Sequence, residues 1–198
     1  MPRTGLNAEQ LREKAIEATL AKMREVGFEK VRLTDIAKEL RVSHATLYSH
    51  FKDKSDLLDA VAEVWLLKLD EKLESICRQP KDPDAKIRDW VLAIHRAKLE
   101  KVRLDPELYR AFDLASEKSK PFVKRHLETL HRQLLGLVGE AIVKKRIPAA
   151  DPEEMSKIIA AAVLAFHHPR LVALYIDEER EALLGQVLDS VLRGLLIK

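Results

Sequence analysis

The stretch Leu33-Thr34-Asp35-Ile36-Ala37-Lys38-Glu39-Leu40-Arg41-Val42-Ser43-His44-Ala45-Thr46-Leu47-Tyr48-Ser49-His50-Phe51-Lys52-Asp53-Lys54 decides the reading of this chain. It predicts two short helices joined by a tight turn. Ile36, Ala37 and Leu40 form an apolar stripe on the first helix, and Leu47 and Phe51 repeat the i, i+4 spacing on the second. Val42 is the apolar plug of the turn. The small Ala37 allows the close crossing that a helix-turn-helix needs. Thr34 and Ser43 stand where each helix should begin, with hydroxyls able to cap backbone N–H groups. The outward side of the second helix then carries His44, Ala45, Thr46, Tyr48, Ser49 and His50. These small or hydrogen-bonding side chains suit a base edge and its phosphates.

Working outward, the helix boundaries are well punctuated. Asn7 and Gln10 read as a capping box for a first helix that reaches about Val26 and ends on Gly27. Its apolar positions are Leu11, Ala15, Ile16, Leu20 and Met23. Asp53, with Asp56 three residues later, predicts the cap of a long fourth helix over 54–76. Three Asp-Pro pairs, at 82–83, 105–106 and 151–152, each predict an N-cap followed by a proline at the first helical position. They imply helices over about 83–103, 106–116 and 152–167. A long amphipathic helix fills 121–145, and Asp177 is expected to cap a last helix running nearly to Lys198. His167-His168-Pro169 is where the eighth helix should stop or kink, because a residue preceding proline avoids the α region. The result is an all-α chain of about nine helices and no strand. It divides into a helix-turn-helix domain of three helices over 1–52 and a helical domain over 53–198.

Composition agrees with this class. The 198 residues are 46% hydrophobic and 34% charged, a balance that suits a folded, water-soluble protein. Six glycines and eight prolines are few for this length, so long helices are expected. No apolar run approaches the ~18 residues needed to cross a bilayer. The start of the chain lacks the apolar core of a signal peptide. The single cysteine, Cys77, excludes an internal disulfide and a multi-cysteine metal site. Together these features imply the cytoplasm and no membrane partner. The net charge is only +3. Between Arg41 and Lys54, however, three Lys/Arg stand against one Asp, with His44 and His50 beside them, a small patch able to meet phosphates.

The motif also carries a family resemblance. Thr46-Leu47-Tyr48, His50-Phe51, Lys54 and Leu57-Leu58, with Gly27-Phe28 and Leu33-Thr34-Asp35-Ile36-Ala37 upstream, resemble the helix-turn-helix signature of the tetracycline-repressor (TetR) family over residues 8–62. Arg41 stands where a turn glycine is usual, so the turn must avoid or tolerate a left-handed conformation. Ala45 stands where many members carry glycine. The resemblance implies a dimeric repressor that binds a pseudo-palindromic operator in double-stranded DNA. Its recognition helices would meet successive major grooves. Bases would be read by His44, Ala45 and Thr46. Phosphates would be held by Thr34, Tyr48, His50 and Lys54, with Arg3 reaching from an N-terminal arm.

It further implies a second domain that binds an effector. Trp65, Leu69, Trp90, His95, Tyr109, Phe112, His131, Phe166 and His167 are the candidates to line a pocket for a small, mostly apolar compound. Aromatic residues at helical spacing fit a plain core equally well. Leu183, Leu184, Val187, Leu188, Val191, Leu192, Leu195 and Leu196, with the apolar run 160–164, are too many for one core-facing stripe. Leu184, Leu188, Val191, Leu192 and Leu195 are therefore expected at a homodimer interface; a helix buried deep within one subunit is the alternative.

Nothing reads as catalytic. There is no phosphate-cradling glycine loop, HExxH pair or serine elbow. His126 and His131 are five residues apart and do not share a helix face, and His167 and His168 diverge. No metal ligands and no cofactor are predicted. Two other functions fit the same residues. One is a TetR-like protein controlled by a protein partner or by no small molecule. The other is an all-helical enzyme or scaffold with an incidental helix-turn-helix.

Overall fold

A computed structural model describes residues 6–147 and 150–194. All regular structure among them is helical: α1 (Ala8–Val26), a 3-10 turn (Phe28–Lys30), α2 (Leu33–Glu39), α3 (His44–Tyr48), α4 (Lys54–Cys77), α5 (Pro83–Leu104), α6 (Pro106–Glu117), α7 (Pro121–Val143), α8 (Pro152–Ala162), α9 (Leu164–His167), α10 (Pro169–Leu174) and α11 (Glu181–Gly194). The helices form two compact units. One takes the chain to Trp65 together with Asp105–Phe122, and the other takes Leu66–Leu104 together with the chain from Val123 onward. The break by packing thus falls within α4, and α6 belongs to the first unit.

The first unit is built on its caps. Asn7 accepts from the Gln10 backbone N–H at 2.8 Å while the Gln10 side chain accepts from the Asn7 N–H at 3.1 Å, closing the capping box. At the start of α4, Asp53 accepts the Asp56 N–H at 2.9 Å as a cap, and Asp56 reaches back to accept the Lys52 N–H at 3.0 Å. Met23, Ile36, Leu47, Phe51 and Leu57 are fully buried and form the core shared by α1 to α4. The Arg12 guanidinium lies 4.9 Å from the centre of the Phe51 ring. Phe112 packs edge to face with Trp65 and with Tyr109, ring centres 5.1 and 5.8 Å apart, and Trp65 lies tilted against Tyr109 at 6.0 Å.

Two expected caps of this unit differ. Asp105 does not cap α6; its carboxylate is held by Arg24 at 2.5 Å instead. Thr34 is the second residue of α2, whose cap position is Arg32, so its hydroxyl caps nothing. Gly27 closes α1 by donating to the Met23 carbonyl, at φ 82°. A Cβ there would come within 3.2 Å of Glu107, whose carboxylate accepts the Phe28 N–H at 2.8 Å.

The second unit packs α5, α7, α8 and α11 with the distal half of α4 around Leu73, Ile87, Ile94, Val138, Ile159, Leu184 and Leu188. The predicted eighth helix over 152–167 is two pieces, α8 and α9, broken at Val163; it stops at His167-His168-Pro169 as expected, and α10 follows from Pro169. Pro169 has no N–H for the Ala165 carbonyl four residues back, and His168, extended at ψ 127° before it, turns the next N–H groups away from the Phe166 and His167 carbonyls. Side chains replace them. Arg180 donates to the Ala165 carbonyl at 3.4 Å, His95 to that of Phe166 at 3.0 Å and Lys98 to that of His167 at 2.5 Å. The last helix begins at Glu181 rather than after Asp177.

Candidate nucleic-acid interface

The helix-turn-helix is assembled from α2, its turn and α3. Arg41 adopts φ 55°, the left-handed region that a glycine would occupy without strain. The turn therefore tolerates that conformation rather than avoiding it. The Val42 N–H donates to the Ala37 carbonyl at 3.0 Å, which folds α3 back across α2. Ser43 caps α3 by accepting the Thr46 N–H at 3.0 Å. Its hydroxyl also meets that of Thr46 at 2.7 Å. Leu47 and Phe51 are fully buried beneath, so α3 is pinned by its inward face.

Its outward face is free to meet a groove. His44, Ala45 and Tyr48 are exposed, and the His44 and Tyr48 rings pack edge to face with centres 4.6 Å apart. Thr46 is half-buried, and its hydroxyl already serves Ser43. Thr34 is exposed on α2. His50 is half-buried, its carbonyl accepting from Arg12 at 3.4 Å. Lys54 donates its ammonium to the Glu29 carbonyl and so closes the end of the 3-10 turn. Two exposed cations outside the predicted patch, Arg32 and Lys38, lie on or beside α2, in addition to exposed Arg41 and Lys52 of that patch. For Arg32 and Lys38, that position was the available signal.

The nine pocket candidates divide between the two units. Tyr109 and Phe112 are buried in the core of the first unit, and Trp65, of the same unit, is half-buried against them. Leu69, Trp90, His95 and Phe166 are buried in the second, and Trp90 donates its indole N–H to Gln133 at 3.0 Å. His131 is exposed and paired with Glu153 at 3.1 Å. Most of these rings make packing contacts within their own unit, each large enough to complete a helix contact in a small core. In the first unit a cleft of about 230 Å3 opens between the start of α4 and the end of α6, lined by Phe28, Lys54, Leu58, Ala111, Leu114 and Lys118 among others. None of the nine lines it.

The second unit buries a cationic and imidazole group around the helix break. The His167 ring donates Nε2–H to the Val91 carbonyl at 3.0 Å. Burial, then the nearby Lys98 charge, pushes its pKa down to about 3. Burial lowers the Lys98 pKa to about 8. His95 spends Nδ1–H on Phe166, and its Nε2 is buried with no hydrogen-bond partner.

Of the interface leucines, Leu184 and Leu188 are fully buried within a single chain. This corrects the expectation that they face a second copy: α11 is packed against α5 and α8, and these two side chains fill that contact. Val191 and Leu192 are half-buried. Leu195 and Arg3 lie outside the described residues. Leu183 on α11, Ile158 on α8 and Leu164 on α9 are exposed.

Comparison with known proteins joins these observations. Residues 15–61 match the tetR family of bacterial regulatory proteins. Residues 83–188 match the tetracyclin repressor-like C-terminal domain. The chain belongs to the TetR family. The second match covers more than half of it and reaches from α5 into α11. The HTH-type transcriptional regulator BetI of Yersinia pestis (strain Pestoides F) is 32% identical over 90 residues, which is 44% of this chain and 45% of that protein. The chain thus spans about half the length of this relative. Two solved structures share the fold. A TetR-family transcriptional regulator of Pectobacterium atrosepticum is 24% identical with a TM-score of 0.67, covering 98% of this chain and 99% of its own. FadR of Thermus thermophilus, a TetR-family transcriptional repressor in complex with lauroyl-CoA, is 22% identical with a TM-score of 0.63, covering 94% and 96%. Among the described residues, no helix of this TetR-family chain is long and apolar enough to cross a membrane. No cluster of three metal-binding side chains occurs among them either.

Proposed function

We propose that this TetR-family protein is a ligand-responsive transcriptional repressor that binds a pseudo-palindromic operator as a homodimer in the cytoplasm. The observation that carries the reading is α3 itself. Its inward side is anchored by Leu47 and Phe51 and its start is fixed by Ser43, while His44, Ala45 and Tyr48 stand exposed on the other side. A helix held in this way presents a fixed set of groups to a major groove. His44, Ala45 and Thr46 would meet base edges, with Ala45 against a thymine methyl. Thr34, Tyr48, His50 and Lys54 would hold phosphates, and Ser43 keeps the reading helix in place. Two copies would set their α3 helices about 34–36 Å apart. The effector would be a small, mostly apolar compound.

A gel shift at about 0.1 M salt with the DNA upstream of the protein's own gene tests this. Sequence-specific retardation that a metabolite extract abolishes is the expected result. Retardation no stronger than on random DNA would overturn the reading. A second reading, control without a small molecule, is favoured by the packing of Tyr109, Phe112, Trp90 and Phe166 into the cores. Retardation that no extract or compound relieves would select it.

A further inference from the structure

The cleft of about 230 Å3 in the first unit combines two properties that rarely coincide by accident. Its walls are apolar: Phe28 from the 3-10 turn, Leu58 from α4, and Ala111 and Leu114 from α6. Leu114 is a large apolar side chain left 41% exposed beside it. Its rim is cationic, with Lys54, Lys118 and Lys120 against a single carboxylate, Asp59. That carboxylate is already spent on Lys120 at 2.7 Å, which also donates to Ser55 at 2.9 Å. The Lys54 ammonium donates to the Glu29 carbonyl, which uses one proton and leaves the charge uncompensated. Among the described residues no carboxylate is paired with Lys54 or Lys118. Two ammonium groups over an apolar hollow favour a ligand with a hydrocarbon body and an anionic head.

We infer that this cleft is a binding site for a small carboxylate with an apolar, ring-sized body, whose head takes the Lys54 and Lys118 ammonium groups while its body lies against Phe28, Leu58 and Leu114. Occupancy requires only these residues. Its consequence for DNA rests on the proposed phosphate contact of Lys54. A carboxylate and a phosphate then compete for one ammonium, so occupant and operator weaken each other by the same factor. The occupied protein also engages about one phosphate fewer.

The probe is 4-phenylbutyrate, with 4-phenylbutanol and 4-phenylbutylamine as the neutral and cationic forms of the same body, titrated into the full DNA-free chain and followed by NMR. Saturable shifts at Leu58, Ala111 and Leu114 are expected with the carboxylate. It should bind about threefold or more tighter than the alcohol, and the amine should not saturate. Lys118→Gln should weaken the carboxylate by about threefold, and Ala111→Phe, which fills the hollow, should abolish saturation. Leu114→Gln, at an exposed position, should weaken binding as well and serves if Ala111→Phe disturbs the fold. Equal affinity for carboxylate and alcohol overturns the site, as do shifts outside the cleft or saturation that survives these variants. In the DNA arm, saturating 4-phenylbutyrate should lower the slope of log K against log salt by about one in the parent chain and leave Ala111→Phe unchanged. Carboxylate binding with an unaltered slope overturns the coupling. Absence of specific DNA binding without the probe overturns the operator reading instead, with the site judged by NMR alone.

Discussion

Lys98 reaches through the second unit to donate its ammonium to the His167 carbonyl, 2.5 Å away. The contact exists because His168, extended at ψ 127° ahead of Pro169, breaks the helix and carries away the Leu171 N–H that an unbroken helix would give this carbonyl. His95 and Arg180 answer the two preceding carbonyls in the same way. Keeping a cation there has an electrostatic cost, and burial lowers the Lys98 pKa from 10.5 to about 8.

That shift fixes the sign of a pH effect. Between about pH 8 and pH 10.5 the unfolded chain holds the Lys98 proton and the folded chain has released it. Stability from this group therefore rises with pH across that window, by about 3 kcal/mol in full. A neutral amine still donates to His167, so the bond survives the titration. Urea midpoints from pH 7.5 to 10 should show this rise in the parent chain, and in Lys98→Met the increment should vanish. His167 works from the acid side. Its pKa of about 3 lies below the unfolded value of 6.5, so stability should fall as pH drops from 6.5 towards 3. Part of that loss should disappear in His167→Gln.

How much of this was legible in the sequence depends on how local each feature is. The helix-turn-helix, the Asn7 capping box, the Asp53 and Ser43 caps and the stop at Pro169 are set by neighbours a few residues apart, and the sequence shows such neighbours directly. Asp105 misled because its partner, Arg24, is 81 residues away. The Asp-Pro pair looked the same with or without it. The aromatic contacts were hidden for a related reason. Spacing places Tyr109 and Phe112 on one helix face but does not reveal that Trp65 closes on them. Nor does it separate Leu184 and Leu188, which face their own chain, from Leu183, one residue away and exposed. The cleft between α4 and α6 was invisible because its walls come from segments about 50 residues apart.

Arg41 offers a test of turn strain. A residue with a Cβ at φ 55° carries about 1 kcal/mol that glycine does not. Arg41→Gly should raise the thermal midpoint by about 2–4 °C, read by circular dichroism. An unchanged or lower midpoint would mean that exposed Arg41 gains as much from its surroundings as the backbone loses.

DNA contacts should divide by chemistry. Lys54→Ala should weaken cognate and random DNA by similar factors and reduce the salt slope by about one. It should also cost the 3-10 turn its closing donor, so a lower thermal midpoint is expected alongside. His44→Ala should leave the salt slope alone and narrow the gap between cognate and random sequences. Ser43→Ala, losing the cap, should cost about 1 kcal/mol of stability and weaken both. Should His44→Ala and Lys54→Ala lower affinity for both DNAs by one common factor, the assignment of bases to one and phosphates to the other fails.

The proposed homodimer can be tested by two leucines on one helix. Leu188 is fully buried among α5, α8 and α11 of its own chain. An aspartate there would be an unpaired buried carboxylate, costing several kcal/mol, and Leu188→Asp should fail to fold whatever the oligomeric state. Leu183 is 48% exposed on the same helix, and Ile158 on α8 is 40% exposed. These two apolar groups lie on helices that pack against each other, and the proposed second copy would cover them. Leu183→Asp should therefore keep the helical signal and thermal cooperativity of the parent chain. By analytical ultracentrifugation at micromolar concentration it should sediment as a monomer while the parent sediments as a dimer. Its operator affinity should fall steeply, since a single recognition helix loses the second half-site. A parent chain that sediments as a monomer would end the dimer proposal. A Leu183→Asp dimer as tight as the parent would move the interface off this face of α11.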